Sequence, residues 1–214
     1  MNNPLVSCIM PTANRHKYIP FAIKNFLKQD YLHTELVIID DGKESVSSLI
    51  PADERIRYYF MDPIGTLGAK RNYACDKAHG EIIMHWDDDD WYAPDWVRRQ
   101  LYYLESSGAD ICGIEHVHFY STLTDTLWEG TAENRNNPHA RAWLSGATIA
   151  YRKSFWELHP FKDKQTAEDD DFIRKSGAKV FAHDYIDGFI AVLHPDNTTT
   201  KYFEKSVHKR NYSL

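Results

Sequence analysis

The chain has 214 residues, a formal net charge of −6 at pH 7, and 43% hydrophobic, 26% charged and 14% aromatic residues, the balance of a soluble globular protein. That length suits one large domain rather than two, and a pI near 6.0 without a basic stripe gives no electrostatic pull toward nucleic acid. No apolar run reaches the ~18 residues that cross a bilayer, residues 1–7 lack a leader pattern, and Cys8, Cys75 and Cys112 lack zinc spacing or even number, so a reducing, cytoplasmic setting without a transmembrane segment is expected.

Residues 6–10 read as a buried strand ending at Pro11, and Ile19, Ala22, Ile23, Phe26 and Leu27 recur at helical spacing. A second strand over 35–39 runs into Asp40, Asp41 and Gly42, followed by a weak helix near 45–50 and a third strand over 56–60. Gly65 and Gly68 open a further helix carrying Arg71 and Ala74, with Gly80 expected as its left-handed terminator, and residues 81–86 form the next strand. Alternation of this kind predicts a mainly parallel sheet with covering helices. Beyond a helix over 95–106, short strands near 111–119 and 126–129 precede a polar stretch, 131–141. A strand over 146–151, a short helix over 169–175 and strands over 180–182 and 189–193 complete the pattern. The division expected falls at about 106, with a second half over about 107–199 and a polar tail over 200–214.

Ligands of open parallel sheets collect beyond the carboxyl ends of the strands, where residues 11–14, Asp40, Asp41 and the four aspartates Asp87 to Asp90 all fall. Adjacent carboxylates repel one another, so a hard divalent cation with oxygen ligands is the expected neutraliser. The competing reading is an acidic turn in which Asp90 or Asp95 caps the following helix. A second acidic knot, Glu168 to Asp171, suits either an acidic first helical turn or a general base facing a pocket. Without these eight acids the remainder of the chain carries a formal charge of +2. Lys70 and Arg71, cations near a helix start, point to a nearby anion such as a diphosphate, or to a solvated pair. His194, at a strand end, is open as a metal ligand or as a hydrogen-bonded histidine.

Six segments, in order, carry a resemblance: VSCIMPTANRHKYIPFAIKNFLKQ, ELVIIDDG, GAKRNYACDKAHGEIIMHWDDDDWYAPDWV, SGATIAYRKSFWEL, EDDDFIRKSG and LHPDNTT. The chain resembles the inverting, nucleotide-sugar-dependent glycosyltransferases of family 2, which have the GT-A fold. The resemblance implies a single α/β, Rossmann-like domain with a smaller antiparallel acceptor-side part. It implies that Pro11, Thr12, Ala13, Asn14 and Asp41 hold the nucleoside, Asp41 accepting from a uracil imide, with Arg71 near the base or phosphates. Asp87, Asp88 and Asp89 match the DxD motif, which implies Asp88 facing the ribose and Asp89 binding Mn²⁺ or Mg²⁺ with His194, while Asp90 orients its neighbours. Glu168 and Asp169 match the ED motif, whose aspartate is the expected base. Ala13 stands where the family often has an aromatic residue, and the QxxRW motif of processive synthases is missing around Arg141 and Trp143. A single sugar addition from a nucleotide sugar, UDP-sugar favoured, to a glycan or glycoconjugate is therefore the expected activity, in what is either a whole enzyme or one domain of a longer one. A sugar nucleotidyltransferase, or a calcium-dependent carbohydrate-binding module, is the alternative for the same acids.

Overall fold

The structure, a computed structural model, describes residues 3–131 and 144–197. The polar stretch expected over 131–141 lies outside the described residues beyond Thr131, as do Arg141, Trp143 and the tail from 198. The first half alternates β1 (Val6–Thr12), α1 (Ile19–Leu27), β2 (Thr34–Asp40), β3 (Ile56–Phe60), α2 (Leu67–Lys77) and β4 (Ile82–His85). The weak helix expected near 45–50 is one 3-10 turn, Ser47–Leu49. Then follow β5 (Trp91–Tyr92), α3 (Trp96–Ser107), β6 (Ile111–Ile114), β7 (His116–Ser121), β8 (Thr126–Thr131), β9 (Ala150–Arg152), α4 (Lys153–Leu158), α5 (Glu168–Lys175), β10 (Val180–His183) and β11 (Phe189–Leu193).

Seven strands in the order β10-β6-β9-β4-β1-β2-β3 form the main sheet, parallel except for β9. Its inner strands β1, β2, β4 and β6 are buried on both faces, the edge strands β3 and β10 only in part, and side-chain alternation divides the core in two. Val6, Cys8 and Met10 pack with Phe26 and Leu36 on one face, while Ile9, Val37 and Ile39 pack with Ala74, Tyr151 and Phe172 on the other. Pro11 is tolerated in a central strand for a positional reason. Ile9 turns its carbonyl to Trp86, so odd residues of β1 face β4, whose pairing stops at Ile9; Pro11 therefore forfeits no ladder bond.

The single strand expected near 111–119 is two, divided at Glu115. Ile111–Ile114 is buried throughout, whereas His116–Ser121 alternates, because β7 leaves the main sheet for one with a single buried face. That second sheet runs β5-β11-β7-β8, and its β11–β7 pair is parallel, so the acceptor-side part is mixed rather than wholly antiparallel. The strand expected over 146–151 begins as a 3-10 turn, Gly146–Thr148.

Gly80 does not terminate α2 in left-handed backbone, since the helix closes at Ala78 in extended conformation and Gly80 has no positive φ. Its glycine serves close approach instead. A Cβ there would fall 2.6 Å from the Leu5 carbonyl oxygen and from Ser7 Oγ, and the Gly80 N–H donates to that Oγ at 2.8 Å.

Candidate active site

The carboxyl ends of β1, β2 and β4 open into a cleft of about 800 Å³, and α5 with the 165–167 loop forms its opposite wall. Pro11, Thr12, Ala13, Asp41, Arg71, Asp87, Asp88, Asp89, Glu168 and Asp169 all line it. Asn14 does not: in left-handed backbone, φ 57°, it turns its Oδ1 to accept the Lys43 N–H at 2.8 Å and so ties the first loop to the second.

At the strand ends Asp41, Asp87, Asp88 and Asp89 each meet a cation. Lys70 bridges Asp41 Oδ1 and the Thr12 carbonyl, the latter at 3.2 Å, while the Ile64 N–H reaches Asp41 Oδ2 at 3.4 Å. Thr12 Oγ1 donates to Asp88 Oδ2 at 2.5 Å, and Arg15 Nε lies 3.8 Å from Asp88 Oδ1. Burial, opposed by Arg15 and reinforced by Asp89, pushes the Asp88 carboxyl up to about 7. Asp90, also in the cleft lining, accepts the Val192 N–H at 2.8 Å, which seats β11 and, through it, His194.

His194 Nε2 lies 3.0 Å from Asp89 Oδ2, so two chain segments 105 residues apart meet at one carboxylate. Its Nδ1 accepts the Asp196 N–H at 3.1 Å, faces the Tyr18 hydroxyl at 2.7 Å, and the ring stacks on Tyr18 at 4.4 Å. Which nitrogen carries the proton is assigned from this network: accepting at Nδ1 puts the proton on Nε2, toward Asp89. Among the described residues no three His, Cys, Asp or Glu side chains gather to hold an ion by themselves. A carboxylate plus one imidazole nitrogen nonetheless fits a hard divalent ion, which often keeps one or two protein ligands and fills its shell with water and phosphate oxygens.

Arg71 is buried, only 4% exposed, and it links the two walls. Its Nε donates to Glu168 Oε1 at 3.0 Å, and its Nη2 lies 3.7 Å from Asp87 Oδ1. Its partners are thus protein carboxylates. Burial, opposed by Arg71 and reinforced by Asp169, raises the Glu168 carboxyl, and burial against Arg71 likewise raises Asp87. His85 Nδ1 sits between the Gly146 carbonyl at 2.6 Å and Arg71 Nη1 at 2.7 Å; protonated it serves the first, bare it serves the second. Burial and the Arg71 charge hold His85 well below the usual histidine range.

Asp169 follows Glu168 at the start of α5, after Ala167 in left-handed backbone, φ 60°. One of its oxygens accepts the Asp170 N–H at 2.8 Å. The other occupies the space where a side chain on residue 146 would stand, since a Cβ on Gly146 would fall 1.6 Å from Asp169 Oδ2. Among the described residues Asp169 has no ion-pair partner. Gly68 brings the wall elements together: its N–H donates to the Lys164 carbonyl at 3.0 Å, and a Cβ there would fall 2.0 Å from the Lys162 oxygen.

Sequence reading leaves Arg15, Tyr18, Asn197 and Gly146 unassigned. Arg15 and Tyr18 belong to the turn between β1 and α1, where a local pattern shows only a helix start, and Gly146 is a glycine for the sake of Asp169, far along the chain. No period or spacing reports such contacts.

The site is thus an acidic, cation-lined cleft at the strand ends of a parallel-sheet α/β domain, with a carboxylate opposite that has no ion pair among the described residues. The sequence profile described as Glycosyl transferase family 2 matches residues 7–164, and the chain belongs to that family. It is 42% identical over 98 residues to the putative colanic acid biosynthesis glycosyl transferase WcaA of Escherichia coli (strain K12), covering 44% of this chain and 35% of that protein. It is 36% identical over 109 residues to an uncharacterized glycosyltransferase of Haemophilus influenzae, covering 49% of this chain and 44% of that one. The matched stretches span less than half the length of these relatives. Among solved structures, a mannosyltransferase of Pyrobaculum calidifontis in complex with GDP-Man and Mn²⁺ superposes with TM-score 0.69 at 18% identity, over 90% of this chain and 57% of that one. S. aureus TarS 1-349 in complex with UDP does so with TM-score 0.63 at 20% identity, over 89% and 61%. The fold is that of the GT-A glycosyltransferases. No helix among the described residues is long and apolar enough to cross a membrane.

Proposed function

We propose that this chain is a metal-dependent, inverting glycosyltransferase that moves one hexose from a nucleotide sugar, UDP-sugar favoured, to a hydroxyl of a glycan or glycoconjugate. The observation that carries the reading is Asp169, a carboxylate without an ion pair among the described residues that lines the same cleft as Asp87, Asp88 and Asp89. Inversion requires an acceptor hydroxyl on the face of the anomeric carbon opposite the leaving group, and a base to take its proton as the bond forms. Asp169 is that base, held by the Asp170 N–H and steered past Gly146. Glu168, bonded to Arg71, positions it.

On the donor side, Asp41, held in place by Lys70, accepts from the base, and Thr12 orients Asp88 beneath the ribose. Asp89 and His194 would hold Mn²⁺ or Mg²⁺, with the His194 proton then moved to Nδ1 and given to the Tyr18 oxygen. Such an ion supplies charge neutralisation for the departing nucleoside diphosphate. The domain division, about 1–106 for the donor and 107–199 for the acceptor, follows the same reading.

Thermal protection by nucleoside diphosphates tests it. With Mn²⁺, UDP is expected to raise the unfolding temperature more than GDP or CDP, and Asp89→Ala is expected to lose the Mn²⁺-dependent part of that protection. Best protection by GDP would replace the uridine assignment, and undiminished Mn²⁺ dependence in Asp89→Ala would remove Asp89 from the metal site.

A further inference from the structure

Arg15 has no part in the mechanism above, yet it lines the cleft and lies across the two carboxylates on which that mechanism depends. Its Nη1 donates to Asp89 Oδ2 at 3.0 Å and its Nε lies 3.8 Å from Asp88 Oδ1, with the side chain only 14% exposed. The same Asp89 oxygen accepts from Asn197 Nδ2 at 3.2 Å and faces His194 Nε2 at 3.0 Å. One carboxylate oxygen has two lone pairs, and here three donors converge on it. A cation that takes this oxygen has to displace one of them.

Charge decides which donor leaves. Asn197 is neutral and is anchored a second time on the Val192 carbonyl at 3.1 Å, while His194 stays in place on Tyr18 and turns from donor to ligand when its proton moves to Nδ1, so the ion still competes with two donors for two lone pairs. Arg15 carries a full positive charge that a divalent ion repels at short range. A displaced guanidinium at the edge of the cleft is a planar fork of donors suited to bidentate contact with a phosphate. We propose that Arg15 is an exchangeable counter-ion: in the metal-free protein it neutralises Asp88 and Asp89, and when a divalent cation takes Asp89 it transfers to the diphosphate of the donor. The second half rests on the glycosyltransferase reading; the first half does not.

Calorimetry with Mn²⁺ alone, and with UDP at saturating Mn²⁺, on the unmodified chain, Arg15→Gln and Arg15→Lys separates the two halves. Removing the competing charge should tighten Mn²⁺ binding in Arg15→Gln by about tenfold, while UDP binding with Mn²⁺ weakens by about tenfold. Arg15→Lys keeps the repulsion but not the fork, so its Mn²⁺ affinity should match the unmodified chain while its UDP affinity falls between the two. Unchanged or weaker Mn²⁺ binding in Arg15→Gln, or no Mn²⁺ binding by either protein, overturns the counter-ion. Tighter binding of both Mn²⁺ and UDP overturns the transfer. Failure of the unmodified chain to bind UDP beside a normal Mn²⁺ response overturns the transfer and the donor assignment together, leaving the counter-ion intact.

Discussion

On the donor wall of the cleft Asp41, Asp87, Asp88 and Asp89 face Lys70, Arg71 and Arg15, whereas on the acceptor wall Asp169, one residue from the Arg71-bound Glu168, has no ion pair among the described residues. The two walls use the same side chain for opposite ends. A buried carboxylate fixed by a guanidinium or ammonium is held in one geometry, suited to holding a ligand. Among the described residues Asp169 is steered by a backbone N–H and a missing side chain at Gly146, which on the proposed reading leaves an oxygen for an incoming hydroxyl. On the proposed reading, the paired acids hold the ligand and Asp169 takes the proton.

The largest effect expected from this contrast is on stability. Arg71 is 4% exposed and lies against two carboxylates from different walls, so Arg71→Met leaves Glu168 buried without its partner. Breaking such a pair costs about 3–5 kcal/mol, and removing both charges recovers much of it. Urea unfolding should show that loss in Arg71→Met and a smaller one in Arg71→Met/Glu168→Met. A loss below about 1 kcal/mol, the range of exposed pairs, would mean the paired acids are not structural and would break the comparison.

Next in size is the chemical step. Asp169→Asn should lower turnover by roughly 10²-fold or more while donor affinity stays within about twofold, because a base on the acceptor side contributes to proton transfer and little to ground-state binding. With no ion pair to lose, it should not lower the unfolding free energy measurably. Near-normal turnover would move the base to another acid of the cleft wall, and weakened donor binding would place Asp169 with the paired acids.

Much of this contrast was legible in the sequence, and the illegible part has a common cause. Strands β1, β2 and β4 read as apolar runs ending in Pro11, Asp40 and Asp87, and parallel topology carries those ends to one edge, so the gathering of these residues in one cleft is legible without coordinates. The ED pair was legible as a helix start. Which cation serves which acid was not, because Arg71 meets Glu168 across 97 residues and Arg15 meets Asp89 across 74, separations that no local period reports. Gly80 misled for a related reason: a glycine after a helix suggests left-handed backbone, and here it answers to Ser7, on the neighbouring strand.

The smallest effect, and the sharpest, concerns Gly146. Its φ is not positive, so the backbone accepts alanine, yet the added Cβ would fall 1.6 Å from Asp169 Oδ2 and 2.6 Å from its Cγ. The carboxylate has to swing aside. The donor wall is untouched, since the His85 bond runs to the Gly146 carbonyl and not to its Cα. Displacing a reacting group by about an ångström costs up to 10²-fold, and a side chain free to rotate recovers part, so Gly146→Ala should lower turnover by about tenfold with donor affinity unchanged. In the Asp169→Asn background the same substitution should cost nothing further in turnover, because the group it displaces no longer takes the proton. Steady-state kinetics of the four proteins of that cycle decide it. Additive losses would show that Gly146 acts on something other than Asp169, and the acceptor wall would then need a second residue to explain its chemistry.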